Sequence, residues 1–268
     1  MSYNQPEGPL VTQSGRQENR HSYFSMDYFL QIYGSLPRAG PGSDELTRRA
    51  FEMIPHLPES PRILDVGCGP GMQTVELLKR SAGRVVALDV HPEMIKRVHA
   101  RAESAGVSAR LETIVQDMKK MTFPASSFDV IWSEGAIYIL GFEKGLRKLR
   151  ELVKPEGYVA VSEAVWLKPR PPSEVVEFWR EYPEIDTVAA KLDVIKSSGY
   201  EVLGYFVFPA NAWTDQYYDP MEQLIAKKAK DWRGIPEAEA VLSEAINEIS
   251  IFHRYSDYFS YAFFVLGR

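Results

Sequence analysis

A single cysteine, Cys68, stands among 268 residues. It excludes an internal disulfide framework and leaves too few thiols for a structural zinc site. A reducing, cytoplasmic setting is expected. No apolar run approaches the roughly 18 to 20 residues of a membrane span, and the first 30 residues hold no apolar stretch of signal-peptide type. Neither sign of charge is in large excess: 31 Lys+Arg against 36 Asp+Glu give a formal net charge of -5. Such a balance argues against a protein that gains its affinity by neutralising phosphates, so nucleic acid is not an expected partner. What is present is enough for a core. At 45% hydrophobic content, a chain of this length buries about 75% of the surface it exposes when unfolded.

The polar residues 1–18 carry Pro6, Gly8, Pro9 and Gly15 without periodicity and read as a flexible leader; residues 19–268 read as one domain. Aromatic and apolar residues over 19–33 predict a short helix, and Ser43 is placed to cap a second one after the Gly40-Pro41-Gly42 break. From position 62, short β-branched runs over 63–66, 85–90, 111–115, 128–132 and 158–165 alternate with helices that begin near Met72, Pro92 and Phe142. This alternation predicts βαβ units and a mostly parallel sheet. Lys154-Pro155-Glu156-Gly157 reads as the stop of the third of these helices. Beyond it come a Pro-rich insertion with Phe178 and Trp179, a helix over 185–198, and a strand over 201–208. About 50 residues then precede a final strand over 258–266. Within them Asp219-Pro220-Met221-Glu222 predicts a helix start with Asp219 as cap, and a second helix starts near Glu237.

The chemistry is concentrated in Ile63-Leu64-Asp65-Val66-Gly67-Cys68-Gly69-Pro70-Gly71, where a strand ends and a helix opens. Glycines there let the chain turn sharply and let a ligand approach the backbone. A dinucleotide fingerprint needs its third glycine at position 72, which is Met72, so a nicotinamide oxidoreductase is disfavoured. The spacing G-x-G-x-G, with Asp65 two residues ahead, resembles the loop of class I S-adenosylmethionine-dependent methyltransferases. Four further matches follow in order. Asp89 ends the second strand 18 residues beyond Gly71, Gln116-Asp117-Met118 ends the third, Ser133-Glu134 ends the fourth, and Lys154-Pro155-Glu156-Gly157-Tyr158 leads into the fifth.

The resemblance is close over 43–166 and is nearest to small-molecule enzymes with a ubiquinone/menaquinone-type methyltransferase domain. It implies an α/β fold with a seven-stranded, mostly parallel Rossmann-like sheet in the order 3-2-1-4-5-7-6, the last strand antiparallel, flanked by helices. It also implies S-adenosylmethionine as cofactor, with S-adenosylhomocysteine as product. Asp65, Gly67, Cys68, Gly69, Gly71, Asp89, Val90, Met94, Asp117, Met118 and Ser133 are the candidate cofactor-binding residues. Asp89 is placed for the ribose hydroxyls, and Asp117 and Met118 for the adenine.

Segments 19–42, 167–184 and 209–257 lie outside a minimal domain and are expected to cover the site and choose the acceptor, a small molecule. Methyl transfer is a direct displacement at a sulfonium-bound carbon, so alignment and exclusion of water matter most, and a base is required only if the acceptor loses a proton. Glu134, Glu163 and Tyr138 are the candidate catalytic residues. Glu134 and Glu143 flank Tyr138 with the spacing of the double-glutamate loop of protein arginine methyltransferases, which keeps an amine or guanidino acceptor open. A non-catalytic cofactor-binding protein is the other alternative. No set of metal ligands is marked, and a homodimer is compatible with the chain. Of the five histidines, His56 and His99 read as structural, His91 is expected near the ribose, and His21 and His253 are weaker candidates for a base.

Overall fold

The computed structural model describes residues 26–268; the leader at 1–18, His21 and the first part of the 19–33 helix lie outside the described residues. Residues 26–32 are helical (α1). The strands are β1 (Arg62–Val66), β2 (Arg84–Asp89), β3 (Leu111–Val115), β4 (Phe128–Ser133), β5 (Val153–Trp166), β6 (Asp186–Thr187), β7 (Glu201–Val207) and β8 (Phe259–Gly267). They form one sheet in the order 3-2-1-4-5-8-7, with the two-residue β6 paired to the end of β5. Apart from that short strand the order is the expected one. β1 to β5 run parallel, while β8 is antiparallel to both β5 and β7. Strands β1 and β2 are buried at every position after their first residue, as befits parallel strands covered on both faces.

Helices flank both faces. One layer of core joins β strands to α5 (Phe142–Leu152) and α7 (Val188–Ser197) through Phe142, Leu146, Leu149 and Ile195. On the other face, Leu46 and Ala50 of α2 (Asp44–Glu52) and Leu77 and Leu78 of α3 (Met72–Arg80) meet Trp132, Phe206 and Phe263. Each such large apolar side chain contributes roughly 1.5 to 3 kcal/mol by leaving water. Helix α2 is capped as its sequence predicts, Ser43 Oγ accepting from the Leu46 amide at 3.2 Å. α4 (Pro92–Ser104) begins on proline, whose missing N–H costs nothing in a first turn.

A third, aromatic cluster sits at the carboxyl end of β5. It joins Ile32 of α1 with Val175 of α6 (Ser173–Phe178), Trp213 of α8 (Asn211–Trp213), Met221 of α9 (Asp219–Asp231) and Phe252 of α10 (Pro236–Tyr255). Trp213 stacks on Phe252 with ring centroids 5.1 Å apart and donates to Ser260 Oγ. Trp213, Tyr217 and Tyr218 are therefore core.

Three sequence expectations need correction. Lys154-Pro155-Glu156-Gly157 does not end a helix: α5 stops at Leu152, and the four residues bulge within β5, where Phe128 pairs with Val153 but Val130 pairs with Tyr158. A Cβ on Gly157 would lie 2.8 Å from the Asp129 carbonyl, so the bulge takes glycine. Asp219 caps nothing, because the chain is already helical: α8 passes through a π-turn (Thr214–Tyr218) into α9. A π-turn loosens the hydrogen-bond ladder where Pro220 could not donate. Finally, the helix expected over 185–198 begins at Val188, since Asp186 and Thr187 pair with β5.

Candidate functional site

The carboxyl ends of β1, β2 and β4 meet at the glycine loop. Gly67 takes φ +73°, and a Cβ there would stand 2.5 Å from the Ala136 Cβ; only glycine fits the approach of the two loops. The Gly67 and Cys68 amides both donate to the Leu88 carbonyl. Asp89 then locks the turn: Oδ2 accepts from the Gly69 amide and Oδ1 from the His91 amide, each at 2.9 Å. Carboxylate oxygens have lone pairs to spare. Asp89 can therefore hold the loop and still accept from a ligand in the cleft it lines.

That cleft, about 1060 Å³ with its open mouth, is lined by eight of the predicted cofactor residues: Gly67, Cys68, Gly69, Asp89, Val90, Met94, Asp117 and Met118. His91 lines it too. Three predicted residues do not. Gly71 packs under α4, where a Cβ would be 2.7 Å from Val98. Ser133 Oγ donates to the Val66 carbonyl and ties β4 to β1. Asp65 lies buried beneath the loop, accepting from Thr74 Oγ1 at 2.6 Å on one oxygen, while its other oxygen has no partner among the described residues. Asp117 accepts from the Lys119 amide and so also caps its own turn. The Cys68 thiol is buried, and desolvation holds it well above its ordinary pKa. It is a filler rather than a nucleophile.

Glu134 lines the same cleft, but both its oxygens are engaged. Oε1 accepts from Thr47 Oγ1 at 2.7 Å and from Trp132 Nε1 at 2.8 Å, and Oε2 from Arg38 at 3.0 Å. Arg38, 4% exposed, also donates to Asp44, Gln216 and Thr47. One guanidinium thus joins the segment after α1, helix α2, the π-turn and the end of β4. The paired-glutamate alternative is corrected here. The guanidinium on Glu134 is the chain's own Arg38, and Glu143 pairs with Arg147 on the exposed face of α5 and lines neither this cleft nor the next.

Gly135 and Tyr138 line a second cavity as well, about 720 Å³ with its mouth, which adjoins the first. Glu163 is in its wall, paired with Lys191 Nζ at 2.9 Å and accepting from the Tyr182 hydroxyl. Burial raises the Glu163 carboxyl against the opposing pull of Lys191. Tyr138 is also raised, by desolvation and then by the fields of Glu248 and Glu163, so its hydroxyl donates rather than acting as a base at neutral pH. Arg38, Lys191, Tyr182 and Glu248 had no signal in the sequence, because none stands in a motif. His56, His99 and His253 line neither cavity; His99 is hydrogen-bonded to Thr113 and His253 lies 3.6 Å from Glu222. Among the described residues no group of three or more His, Cys, Asp and Glu could hold a metal, and no helix is long and apolar enough to cross a membrane.

Burial raises Asp65 to about 7 from an ordinary 3.8. The folded chain therefore binds a proton there more tightly than the unfolded chain. The resulting stability is complete below about pH 3.8 and is lost as pH rises to about 7, on the order of 4 kcal/mol. Urea unfolding of the wild type and of Asp65→Asn between pH 5 and 8.5 should show the mutant with the shallower decline over pH 5 to 7. Parallel curves would place the titration elsewhere.

Residues 63–157 match the family model described as a methyltransferase domain. A sterol 24-C-methyltransferase of Gibberella zeae is 33% identical over 107 residues, 40% of this chain and 28% of that protein. Phosphoethanolamine N-methyltransferase 1 of Arabidopsis thaliana is 27% identical over 71% of this chain and 38% of that one. The chain thus spans well under half the length of either relative. Among solved structures, a methyltransferase from Geobacter sulfurreducens in complex with S-adenosylhomocysteine superposes with a TM-score of 0.80, covering 90% of this chain and 98% of that one at 18% identity. Residues 63–157 thus carry a methyltransferase domain, spanning β1 into β5 with the glycine loop closed onto Asp89, and the described chain shares the fold of the Geobacter methyltransferase.

Proposed function

We propose that the protein transfers the methyl group of S-adenosylmethionine to a small-molecule acceptor by direct displacement. The observation that carries this reading is the pair of adjoining cavities: one closed by the glycine loop and Asp89, the other walled by aromatics and acids, with Gly135 and Tyr138 common to both. The cofactor fits the first by its chemistry. Gly67 and Gly69 present bare backbone, Asp89 offers acceptors for ribose hydroxyls, Asp117 an acceptor for an adenine amino group, and Val90 and Met118 an apolar slot for the ring. When bound, S-adenosylmethionine supplies a methyl group on a positively charged sulfur.

The protein's own part is to align and to exclude water. Arg38 and Glu134 hold the entry segment against the cleft, and Tyr138 stands at the junction as a hydrogen-bond donor. Of the segments expected to cover the site, the described residues 26–42, 167–184 and 209–257 form the cover, with the aromatic cluster as its core. The named substrates of the relatives differ in chemistry, so the acceptor follows from the second cavity and not from likeness.

Calorimetry tests the reading. S-adenosylmethionine and S-adenosylhomocysteine should bind and NAD should not; NAD binding with no S-adenosylmethionine signal would overturn it. Asp89→Ala should weaken S-adenosylhomocysteine binding by about 1 to 3 kcal/mol, since it strips charged acceptors from ligand donors.

A further inference from the structure

The second cavity has the chemistry of a cation trap. Tyr138, Phe178, Trp179, Tyr182 and Tyr261 supply its aromatic wall, and among the described residues no Lys, Arg or His lines it, Lys191 standing behind the wall with its Nζ 5.6 Å from the Tyr182 ring centre. The rings stand at steep angles to one another: Tyr138 to Tyr182 at 73° with centroids 5.6 Å apart, Phe178 to Trp179 at 86° and 5.5 Å. An aromatic wall of this kind attracts a positive group that comes within reach of a ring face.

The cavity has three carboxylates, the solvent-exposed Glu181 and the inner Glu163 and Glu248, and the inner two are not equally balanced. Glu163 has Lys191. Glu248, which also lines the cavity, has only phenols: Tyr217 and Tyr218 donate to its Oε1 at 2.8 and 3.2 Å, and Tyr33 to its Oε2 at 3.1 Å. Three neutral donors lower the cost of the charge but leave it without a counterion among the described residues. Burial accordingly pushes the Glu248 carboxyl up, and no cation pulls it down. An apolar acceptor would leave that cost standing, whereas a cation would relieve it. Trp179 adds a buried Nε1 with no hydrogen-bond partner among the described residues, a donor that an oxygen on the same ligand would satisfy.

We infer that the acceptor is a small amine, bound in this cavity by the aromatic wall and Glu248. The inference rests on the methyltransferase reading above and deepens it. An amine arriving as its ammonium gives its proton to solvent. The nitrogen lone pair then forms the new N–C bond as the S–C bond breaks with its electron pair going to sulfur. Positive charge passes from sulfur to the acceptor nitrogen, so a cavity that favours a cation favours the product side of the transition state.

Two isosteres separate charge from shape. Choline and 3,3-dimethylbutan-1-ol differ in a quaternary nitrogen against a carbon, and neither can accept a methyl group at that centre. Binding of each to the protein saturated with S-adenosylhomocysteine is followed by calorimetry and by tryptophan fluorescence. Choline should bind at least about ten-fold more tightly than the alcohol in the wild type, and Glu248→Gln should bring the ratio below about three-fold with S-adenosylhomocysteine affinity unchanged. Trp179→Leu, which leaves the Tyr–Glu248 hydrogen bonds in place, should also lower choline affinity. Equal binding of the two probes, or no choline binding while S-adenosylhomocysteine binds normally, would overturn the amine assignment and leave the methyltransferase reading intact. Loss of S-adenosylhomocysteine binding in the wild type would instead remove the methyltransferase reading itself.

Discussion

Lys191→Met should destabilise the protein by about 3 to 5 kcal/mol, the cost of stranding one member of a buried ion pair. The side chains of Lys191 and Glu163 are 3% and 1% exposed, so water cannot replace the lost ammonium. Lys191 also donates to the Glu184 carbonyl at 2.6 Å and lies 4.6 Å from the centre of the Phe142 ring. Methionine keeps the length and much of the packing, which confines the loss to charge and hydrogen bonds. The Glu163 carboxyl, already raised by burial, should rise further once the opposing pull of Lys191 is gone. The mutant should therefore regain stability as pH falls, since a raised carboxyl favours the folded state on the acid side. The double mutant Lys191→Met with Glu163→Gln should recover most of the loss, because removing both charges removes the desolvation they impose on each other. Urea midpoints at constant slope measure all three. A single mutant within about 1 kcal/mol of wild type would mean that the pair is hydrated in solution.

Arg38→Ala should lose about 3 to 5 kcal/mol for the same reason, leaving Glu134, 6% exposed in its side chain, without its cation. Its second effect separates it from an ordinary core lesion. Arg38, Ala39, Gly40 and Pro41 line the cofactor cleft, and Arg38 is what joins this segment to Glu134, Asp44 and Gln216. S-adenosylhomocysteine affinity should therefore fall at least about ten-fold, or about 1.4 kcal/mol, at temperatures where the mutant is still folded. Glu134→Gln should be milder in stability and should share the affinity loss. If Glu134 instead served an acceptor directly, affinity would hold and turnover alone would fall, by 10²-fold or more. Wild-type affinity and rate in Glu134→Gln would make the residue a bystander.

The parts of the fold that could be read in advance are those whose cause is local. Parallel strands covered on both faces need runs of β-branched residues, and the turn at the glycine loop needs residues without a Cβ. Both requirements are written in short windows, so the parallel strands and the glycine turn follow from the sequence, while the strand order and the gathering of Gly67, Gly69, Asp89, Asp117 and Met118 around one cleft are what the family resemblance of those windows implies. Local signals failed where a neighbour in space overrode them. Asp219-Pro220 has the chemistry of a helix start, yet the packing of Tyr217 and Tyr218 against α10 draws the chain into helix before it. Lys154 to Gly157 have the chemistry of a stop, yet Lys154 is held into the sheet by Asp129 at 2.7 Å. Asp65, Gly71 and Ser133 belong to the motif but support the loop from below or behind, a distinction of side-chain direction that spacing does not encode.

Function divides along the same line. The floor of the first cleft is built from the alternating strands and helices between Gly67 and Ile139, and those residues are legible one by one, whereas its rim comes from the distant segment 29–41. The rim of the first cleft and the second cavity are assembled from distant pieces: Arg38 meets Glu134 across 96 positions, Lys191 meets Glu163 across 28, and Tyr33 meets Glu248 across 215. A buried charge constrains its partner's chemistry and distance but not its place in the chain. Only the tertiary structure could therefore decide which acids are neutralised by the protein itself and which, like Glu248, face a cavity with no counterion among the described residues.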